Sequence, residues 1–241
     1  MTSKKPRKQI VAMGGALAKS EPAAHALYEY VLGQTSAKRP RVLQINTATG
    51  DAPSSALFTY RALSTLSCEV SELKMFERTP KPAELRKMIV GSNVIVVGGG
   101  NTKSMLAVWR AFGIDELLFE AYEKGVVLSG SSAGGICWFD QCLTDSWAVD
   151  YTALDCLGIL PGSCCPHFDG EAGRKETYHR LIEDGTLMPG IAIDERVGVH
   201  YIDGKIHRIV TTAPKIGAYN VGLRRGKILQ TALAVEQLSV Q

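Results

Sequence analysis

The sequence predicts an α/β fold in which a mostly parallel, twisted sheet is covered by helices on both faces. Strand-like and helix-like stretches alternate through the first half of the chain, as they do in βαβ units. Two of the strand-like stretches, 94–97 and 126–128, are continuously apolar, as buried parallel strands are. Each leads into a glycine-rich turn, at 98–102 and 130–135, and ligands of such sheets bind outside the carboxyl ends of the strands.

The elements of the first half follow from apolar periodicity and from the residues that stop it. The expected strands are 10–13, 41–46, 68–75, 93–97 and 126–129. The expected helices are 22–32, 54–66, 82–90, 102–111 and 114–124. Pro82 suits the first turn of its helix, and Gly113 separates the last two helices.

The second half of the chain has a different pattern, with fewer helices. A long connection, 141–162, is expected to contain a short helix near 152–157, and a short strand 164–168 and a helix 174–183 follow. The last strand-like stretches are 190–193, 197–201, 205–210, 218–221 and 227–229. They predict late strands of the same sheet plus a peripheral hairpin layer, a C-terminal β-rich extension. No linker or repeat interrupts 10–241, which predicts one domain after a basic tail of residues 1–9.

Composition excludes several classes of protein. The 241 residues are 45% hydrophobic and 21% charged, as in an ordinary globular protein. The net charge of +3 is more than accounted for by Lys4, Lys5, Arg7 and Lys8, so no nucleic-acid partner is expected. The apolar run 10–18 resembles a short signal peptide, but its glycines favour a strand and a turn. No stretch approaches the ~20 apolar residues of a membrane span, so no membrane partner is expected.

The six cysteines predict free thiols and a cytoplasmic location. No CxxC pair is present, and adjacent Cys164 and Cys165 are awkward for a disulfide framework. Together with His167 and Asp169 these two could be imagined as metal ligands, but the spacing matches no zinc pattern. Neither a metal nor a cofactor is expected.

The stretch 125–139 predicts a nucleophile elbow, a tight turn that holds a reactive side chain between a strand and a helix. It begins with an expected strand, continues as Gly-Ser-Ser-Ala-Gly, and ends in apolar residues expected to form a buried helix. The flanking residues must be small because the turn brings them against neighbouring backbone. Ser132 lies midway between Gly130 and Gly134 in the G-x-S-x-G pattern and is the expected nucleophile.

A serine nucleophile needs a base, and His167 is the best placed of the five histidines. It lies at the end of an expected short strand, near the active edge of the sheet. His25 and His179 lie inside expected surface helices, and His200 and His207 lie on late strands.

The acid that would orient the base is left open by the residues alone. Glu195 follows an apolar strand and should emerge on the same side of the sheet, whereas Asp145 lies in the loop after the elbow helix. Asp194 and Asp150 are further candidates. With Asp145 the chain order would be Ser, acid, His, as in α/β-hydrolases, and with Glu195 it would be Ser, His, acid.

Two backbone amides are expected to stabilise an oxyanion. The amide of Ala133 lies next to the nucleophile at a helix N-terminus, and Gly99 is the best candidate in the glycine run. Such a run could instead cradle a phosphate. It lacks the third glycine of a dinucleotide fingerprint and the Gly-Lys-Ser/Thr of a P-loop, which argues against a nucleotide cofactor.

Several motifs together resemble the peptidase E family of serine peptidases, which includes aspartyl dipeptidase and the related cyanophycinases. They are Met-Gly-Gly at 13–15, V-V-G-G-G-N-T at 96–102, G-S-S-A-G at 130–134, C-W-F-D at 137–140, T-D-S at 144–146 and C-P-H-F-D-G-E at 165–171. The resemblance covers roughly 10 to 223. It implies a class I glutamine amidotransferase-like (flavodoxin-like) fold with a Ser-His-acid site. By this resemblance the nucleophile is Ser132, the base His167 and the glutamate Glu195, and an aspartate sometimes assigned as third member is Asp145.

One position departs from the family pattern. Aspartyl dipeptidases carry an arginine after a Glu-Thr pair, to pair with the substrate's aspartate, and here Tyr178 follows Glu176 and Thr177. Arg174 or Arg180 could take that role, so Arg174 and Tyr178 are expected near the substrate, and aspartyl preference is left open.

The function implied is hydrolysis of short peptides, dipeptidase or aminopeptidase-like, through an acyl-enzyme. An esterase or other acyl hydrolase with the same triad is one alternative, and a non-catalytic amidotransferase-like binding module is another. The expected partner is a short peptide substrate, and a homodimer is left open.

Overall fold

Two β-sheets and seven α-helices make up the part of the chain that the computed structural model describes, residues 6–17 and 20–240. The strands are β1 (Gln9–Met13), β2 (Arg41–Ile45), β3 (Glu69–Leu73), β4 (Val94–Val97), β5 (Val127–Ser131), β6 (Phe139–Thr144), β7 (Thr152–Asp155), β8 (Leu160–Cys165), β9 (Gly190–Ile193), β10 (Val197–Ile202), β11 (Lys205–Thr211), β12 (Ala218–Arg224), β13 (Lys227–Ala232) and β14 (Glu236–Gln237). The helices are α1 (Glu21–Leu32), α2 (Pro53–Leu63), α3 (Pro82–Val90), α4 (Thr102–Phe112), α5 (Ile114–Glu123), α6 (Ala133–Ile136) and α7 (Arg174–Glu183).

The first sheet has eight strands in the order β14-β11-β10-β1-β5-β4-β2-β3. Its centre is parallel, since β5 pairs with β1 and β4, and β2 pairs with β4 and β3, all in parallel. Antiparallel β10 and β11 extend it beyond β1. The mostly parallel sheet with β4 and β5 at its centre agrees with the prediction.

Helices cover both faces of the first sheet, because alternate residues of its buried strands point to opposite sides. Val94 and Val96 of β4 pack in the apolar cluster that includes residues of α1 and α2. Ile95 and Val97 pack in the cluster that includes residues of α3, α4 and α5. That second cluster also contains residues of the other sheet, such as Cys164 and Ile191, so both sheets contribute to one core.

A second sheet lies where the sequence predicted only a peripheral hairpin layer. It has six strands in the order β13-β12-β9-β8-β6-β7. Among the late strands, β10, β11 and β14 join the first sheet, and β9, β12 and β13 join the second, which is larger than the expected peripheral hairpin layer. Pairing between distant strands determines this division, and the local pattern of each strand does not specify its partner.

Two local predictions need correction. The helix expected near 152–157 is strand β7, which pairs antiparallel with β6 in a register that matches Thr144 with Thr152. This tertiary pairing overrides a weak local helix signal. The helix after the elbow, α6, has only four residues, and Phe139 already begins β6.

The N-terminal tail lies partly in the fold. Its residues 1–5 lie outside the described residues, whereas Gln9 begins β1 and Lys8 Nζ lies 2.9 Å from Glu123 Oε1.

The six cysteines are free thiols. Burial raises the pKa values of the Cys137 and Cys164 thiols, which keeps them protonated. None of the helices in the described ranges is both long and apolar enough to cross a membrane.

Candidate active site

The site lies where the chain leaves the carboxyl ends of β1, β4 and β5. Ser132 follows β5 and is the N-cap of α6, with φ 55° and ψ −120°. A residue other than glycine rarely adopts a positive φ, and the conformation persists only where its surroundings enforce it. The Ser132 amide donates to the carbonyl of Met13, at the end of β1, over 3.0 Å. The two adjacent strands thus hold Ser132 in its strained conformation.

Glycines make this turn possible because a side chain at their positions would collide with backbone. A Cβ at Gly130 would lie 2.8 Å from the carbonyl oxygen of Val97, and one at Gly134 would lie 2.6 Å from the Val97 carbonyl carbon. A Cβ at Gly135 would lie 2.5 Å from the carbonyl oxygen of Met13. The G-x-S-x-G pattern therefore reflects close packing of α6 against β1 and β4.

Ser132, His167 and Glu195 form a chain of hydrogen bonds. Nε2 of His167 lies 2.9 Å from Oγ of Ser132, and Nδ1 lies 3.2 Å from Oε1 of Glu195. A carboxylate accepts only, so Glu195 favours the tautomer with its proton on Nδ1. Nε2 is then free to accept the Ser132 hydroxyl proton. The His167 and Glu195 side chains are 15% and 14% exposed, so both are largely shielded from solvent.

The backbone after β1 positions His167. The His167 amide donates to the carbonyl of Gly14 over 3.0 Å, and His167 itself has φ 51°. A Cβ at Gly15 would lie 2.5 Å from Nε2 and 2.7 Å from Nδ1 of the imidazole, so only glycine leaves room for the ring there. The Met-Gly-Gly motif is visible in the sequence, but the sequence assigns these two glycines no role. Their contact with His167 becomes known only from the fold.

Glu195 is positioned in a similar way by the loop that follows His167. Its amide donates to Oδ1 of Asp169 over 2.9 Å. A Cβ at Gly170 would lie 2.8 Å from both Cδ and Oε1 of Glu195. Gly170 is thus a second positioning residue that sequence reasoning missed.

The other candidate acids lie elsewhere. The Asp145 side chain is 61% exposed, and its Oδ1 lies 3.8 Å from the Arg174 guanidinium. Asp150 is exposed. Asp194 is buried, with Oδ2 accepting from the Gly217 amide and the Tyr219 hydroxyl. Among the four candidates, the structure therefore places the Glu195 carboxylate against His167 Nδ1.

The two expected oxyanion donors flank Ser132. Ala133 is the first residue of α6, and amides of a first turn have no acceptor within the helix. A Cβ at Gly99 would lie 3.2 Å from Cβ and 3.7 Å from Oγ of Ser132, which places the glycine loop directly against the serine. Both positions suit donors to the oxyanion that forms on a substrate's carbonyl oxygen when Oγ attacks its carbonyl carbon.

The structure corrects the expectation that Tyr178 contacts substrate. Its side chain is fully buried, its hydroxyl lies 2.8 Å from Ser163 Oγ, and its ring packs edge-on against Phe168. Tyr178 is therefore a core residue. Arg174 is also buried, with its guanidinium 2.5 Å from Glu171 Oε2 and 4.4 Å from the centre of the Tyr151 ring.

A cavity of about 500 Å³ opens beside Ser132 and His167, within the range of small-molecule sites. The other residues that line it belong to the β1–α1 and β2–α2 connections, to α1 and α2, to the glycine loop and to the end of β5: Ala16, Leu17, Tyr28, Asn46, Thr49, Ser54, Ser55, Phe58, Thr59, Gly98, Gly99, Gly100 and Ser131. A larger cavity, about 930 Å³, lies at the amino ends of β2 and β4 and includes Arg41 and Lys87. The described residues that line this larger cavity include no histidine that could act as a base. The smaller cavity is therefore the better candidate for a substrate site.

The chain matches the model of peptidase family S51 over residues 10–209. It is 39% identical to the uncharacterized peptidase YgaJ of Bacillus subtilis (strain 168), over 96% of this chain and 99% of that protein. It is 32% identical to peptidase E of Citrobacter koseri over 101 residues, 40% of this chain and 44% of that protein.

Two solved structures share the fold. A Listeria monocytogenes EGD-e protein assigned as a peptidase E superposes with a TM-score of 0.62 at 18% identity, over 95% of this chain and 100% of that one. A peptidase from an acI-B1 Actinobacterium superposes with a TM-score of 0.69 at 17% identity, over 95% of this chain and 98% of that one. These likenesses confirm the predicted amidotransferase-like, flavodoxin-like α/β fold. By its family match and its full-length relative, the chain belongs to peptidase family S51 and is a serine peptidase.

Proposed function

We propose that this serine peptidase hydrolyses short peptides, as a dipeptidase or an aminopeptidase-like enzyme, through an acyl-enzyme on Ser132. The observation that supports this most is the hydrogen-bonded chain from Ser132 Oγ through His167 to Glu195. A serine hydroxyl is a weak nucleophile until an oriented base takes its proton. The cavity beside the serine is of a size that suits a short peptide.

Acylation follows from this geometry. Oγ of Ser132 attacks the scissile carbonyl carbon while Nε2 of His167 takes the hydroxyl proton. The carbonyl oxygen becomes an oxyanion, which accepts hydrogen bonds from the amides of Gly99 and Ala133. His167 then gives its proton to the leaving amine as the C–N bond breaks, which leaves an ester on Ser132.

Deacylation repeats the same steps with water. His167 takes a proton from water, and the hydroxide adds to the ester carbonyl with the same two amides as donors. The bond to Oγ breaks, and Oγ recovers its proton from His167. Throughout, the Glu195 carboxylate holds the imidazole and stabilises its cationic form without itself taking the proton.

Glu195 is preferred over Asp145 as the acid on geometric grounds. The Glu195 carboxylate contacts Nδ1, whereas the mostly exposed Asp145 carboxylate lies near Arg174. The chain order is then Ser, His, acid, which differs from the α/β-hydrolase order of the esterase alternative. A preformed triad also favours an enzyme over a binding module.

A Ser132→Ala variant tests the proposal. Removing an activated serine should lower turnover by on the order of 10⁶, measured by mass spectrometry on any dipeptide that the parent cleaves. Fluorophosphonate labelling of the parent should be lost in the same variant. Ser64→Ala, at the far end of α2 where the serine is exposed, is the matched control and should keep parental turnover. Turnover of Ser132→Ala within tenfold of the parent would remove Ser132 from this role.

A further inference from the structure

We propose that the cavity beside Ser132 binds an uncharged, mainly apolar side chain, such as Leu, Met or Phe, on the residue that carries the scissile carbonyl. The proposal rests on the proposed function. It assigns a preference that the triad alone does not specify.

The position of the cavity relates it to the scissile carbonyl. For attack, the carbonyl carbon must lie about 3 to 3.5 Å from Ser132 Oγ. Gly99 lines the cavity and is also an expected donor to the carbonyl oxygen. His167 faces the leaving amine. A side chain one carbon from the carbonyl carbon therefore extends along the glycine loop into the cavity, towards α1 and α2.

Apart from His167, the described part of the cavity wall offers no charge to a charged side chain. The other described residues that line it carry neutral side chains. Taking a carboxylate or an ammonium group out of water without an opposite charge costs several kcal/mol in real proteins. A neutral side chain avoids this cost and gains from the burial of its apolar surface.

Buried polar side chains of the wall already have hydrogen-bond partners within the protein. Burial raises the pKa of Tyr28 to about 12, so its hydroxyl stays neutral. The Thr59 hydroxyl donates to the backbone carbonyl of Ser55 over 3.3 Å, and the side-chain amide of Asn46 donates to Gln44 Oε1 over 3.3 Å. Since these donors already have acceptors, they would compensate a buried carboxylate poorly.

The two arginines of α7 do not supply the missing charge. Arg174 is buried against Glu171, and Arg180 is exposed beside Asp184. Neither lines the cavity. Phe58 and Leu17 do line it, and they provide apolar surface that suits a hydrophobic side chain.

A panel of X-Leu dipeptides tests the proposal, with X as Leu, Met, Phe, Asn, Asp or Lys and with kcat/KM measured by mass spectrometry. The Leu, Met and Phe members should exceed the Asp and Lys members by at least about tenfold, the factor that 1.4 kcal/mol represents. If the Asp or Lys member is cleaved fastest, this proposal is wrong while the peptidase function stands. If no short peptide is cleaved and Ser132 resists fluorophosphonate labelling, the proposed function fails and this proposal fails with it.

Two substitutions on α2 test the wall directly. Ser55→Arg should raise kcat/KM for Asp-Leu relative to Leu-Leu by about tenfold or more, because it places a cation in the lining. Ser64→Arg adds the same charge at the exposed end of α2 and should leave that ratio unchanged. Equal ratios in the two variants would place the side-chain site elsewhere.

Lys19 needs its own test because residues 18 and 19 lie outside the described residues and follow the cavity residue Leu17 in sequence. Lys19→Gln should leave the ratio of Asp-Leu to Leu-Leu cleavage within about twofold. A drop in that ratio of tenfold or more would show that a cation shapes the site, and would overturn the proposal.

Discussion

The α-carbon of Gly15 faces the imidazole of His167 so closely that a Cβ there would lie 2.5 Å from Nε2. Gly15 also has φ 132°, a conformation that residues with side chains rarely adopt. The neighbouring Gly14 carbonyl accepts the His167 amide. The turn after β1 therefore positions the imidazole of the expected base, His167, through backbone contacts alone.

Gly15→Ala should lower kcat by about 10² or more, because a misplacement of catalytic groups by about 1 Å can cost that factor. KM should change much less, since the α1–α2 wall of the cavity is untouched. Steady-state and single-turnover kinetics would measure both.

Gly204→Ala is the matched control for Gly15→Ala. Gly204 has φ 77°, but a Cβ there would meet only open space, so the substitution adds backbone strain without a collision. It should cost about 1 to 2 kcal/mol of stability and leave kcat near parental. If both variants lose kcat equally, strain rather than contact with His167 explains the effect.

Glu195→Gln should lower kcat by on the order of 10⁴, because an amide in place of the carboxylate stabilises the wrong imidazole tautomer. Asp145→Asn should keep kcat within about tenfold, since that side chain is mostly exposed and lies near Arg174. Turnover of a shared dipeptide over a range of pH would compare them. The reverse ranking would assign the acid to Asp145.

Local sequence signals predicted those parts of the site whose chemistry is local. The G-x-S-x-G turn needs small residues next to one another, so Ser132 and Ala133 could be named as candidates from the chain itself. Glu195 could be named only as one of four carboxylates, because its contact with His167 depends on β9 joining the second sheet. Tyr178 was misassigned since a position after a motif does not indicate which way its side chain points.

His200 should make the protein less stable in acid. It is fully buried, its Nδ1 lies 2.9 Å from the Tyr30 hydroxyl, and its Nε2 has no hydrogen-bond partner in the described structure. Burial, and then the nearby His207 and Arg208, lower its pKa from 6.5 to about 4. Between these values the unfolded chain binds a proton that the folded chain does not, so stability falls as pH drops from about 6.5 towards 4.

At pH 5 the loss from His200 should be about 2 kcal/mol relative to neutral pH. Urea unfolding of the parent and of His200→Gln at both pH values would measure it, and the variant should lack this part of the pH dependence. His25→Gln is the matched control, because it makes the same substitution at a histidine of α1 that is only partly buried. An unchanged pH dependence in His200→Gln would contradict the assignment.

Asp194 should have the opposite effect on stability. It is buried beside Glu195, its Oδ2 accepts from Gly217 and Tyr219, and its Oδ1 has no hydrogen-bond partner in the described structure. Burial raises the pKa of Asp194 from 3.8 to about 6. The folded state therefore binds a proton more readily than the unfolded chain, and the stability this gives is full below about 3.8 and lost as pH rises through about 6.

Asp194→Asn should therefore stabilise the protein more at pH 8 than at pH 4, by a difference of up to about 3 kcal/mol. The amide stays neutral at both pH values and can still accept the Gly217 and Tyr219 hydrogen bonds through its oxygen. Because His200 and Asp194 titrate in overlapping ranges with opposite signs, the parent alone would show a flattened profile. Urea unfolding of Asp194→Asn, His200→Gln and the double variant separates them, since distant sites should add. A stability difference for Asp194→Asn that is the same at pH 4 and pH 8 would mean that the carboxyl is ionised in the folded state throughout.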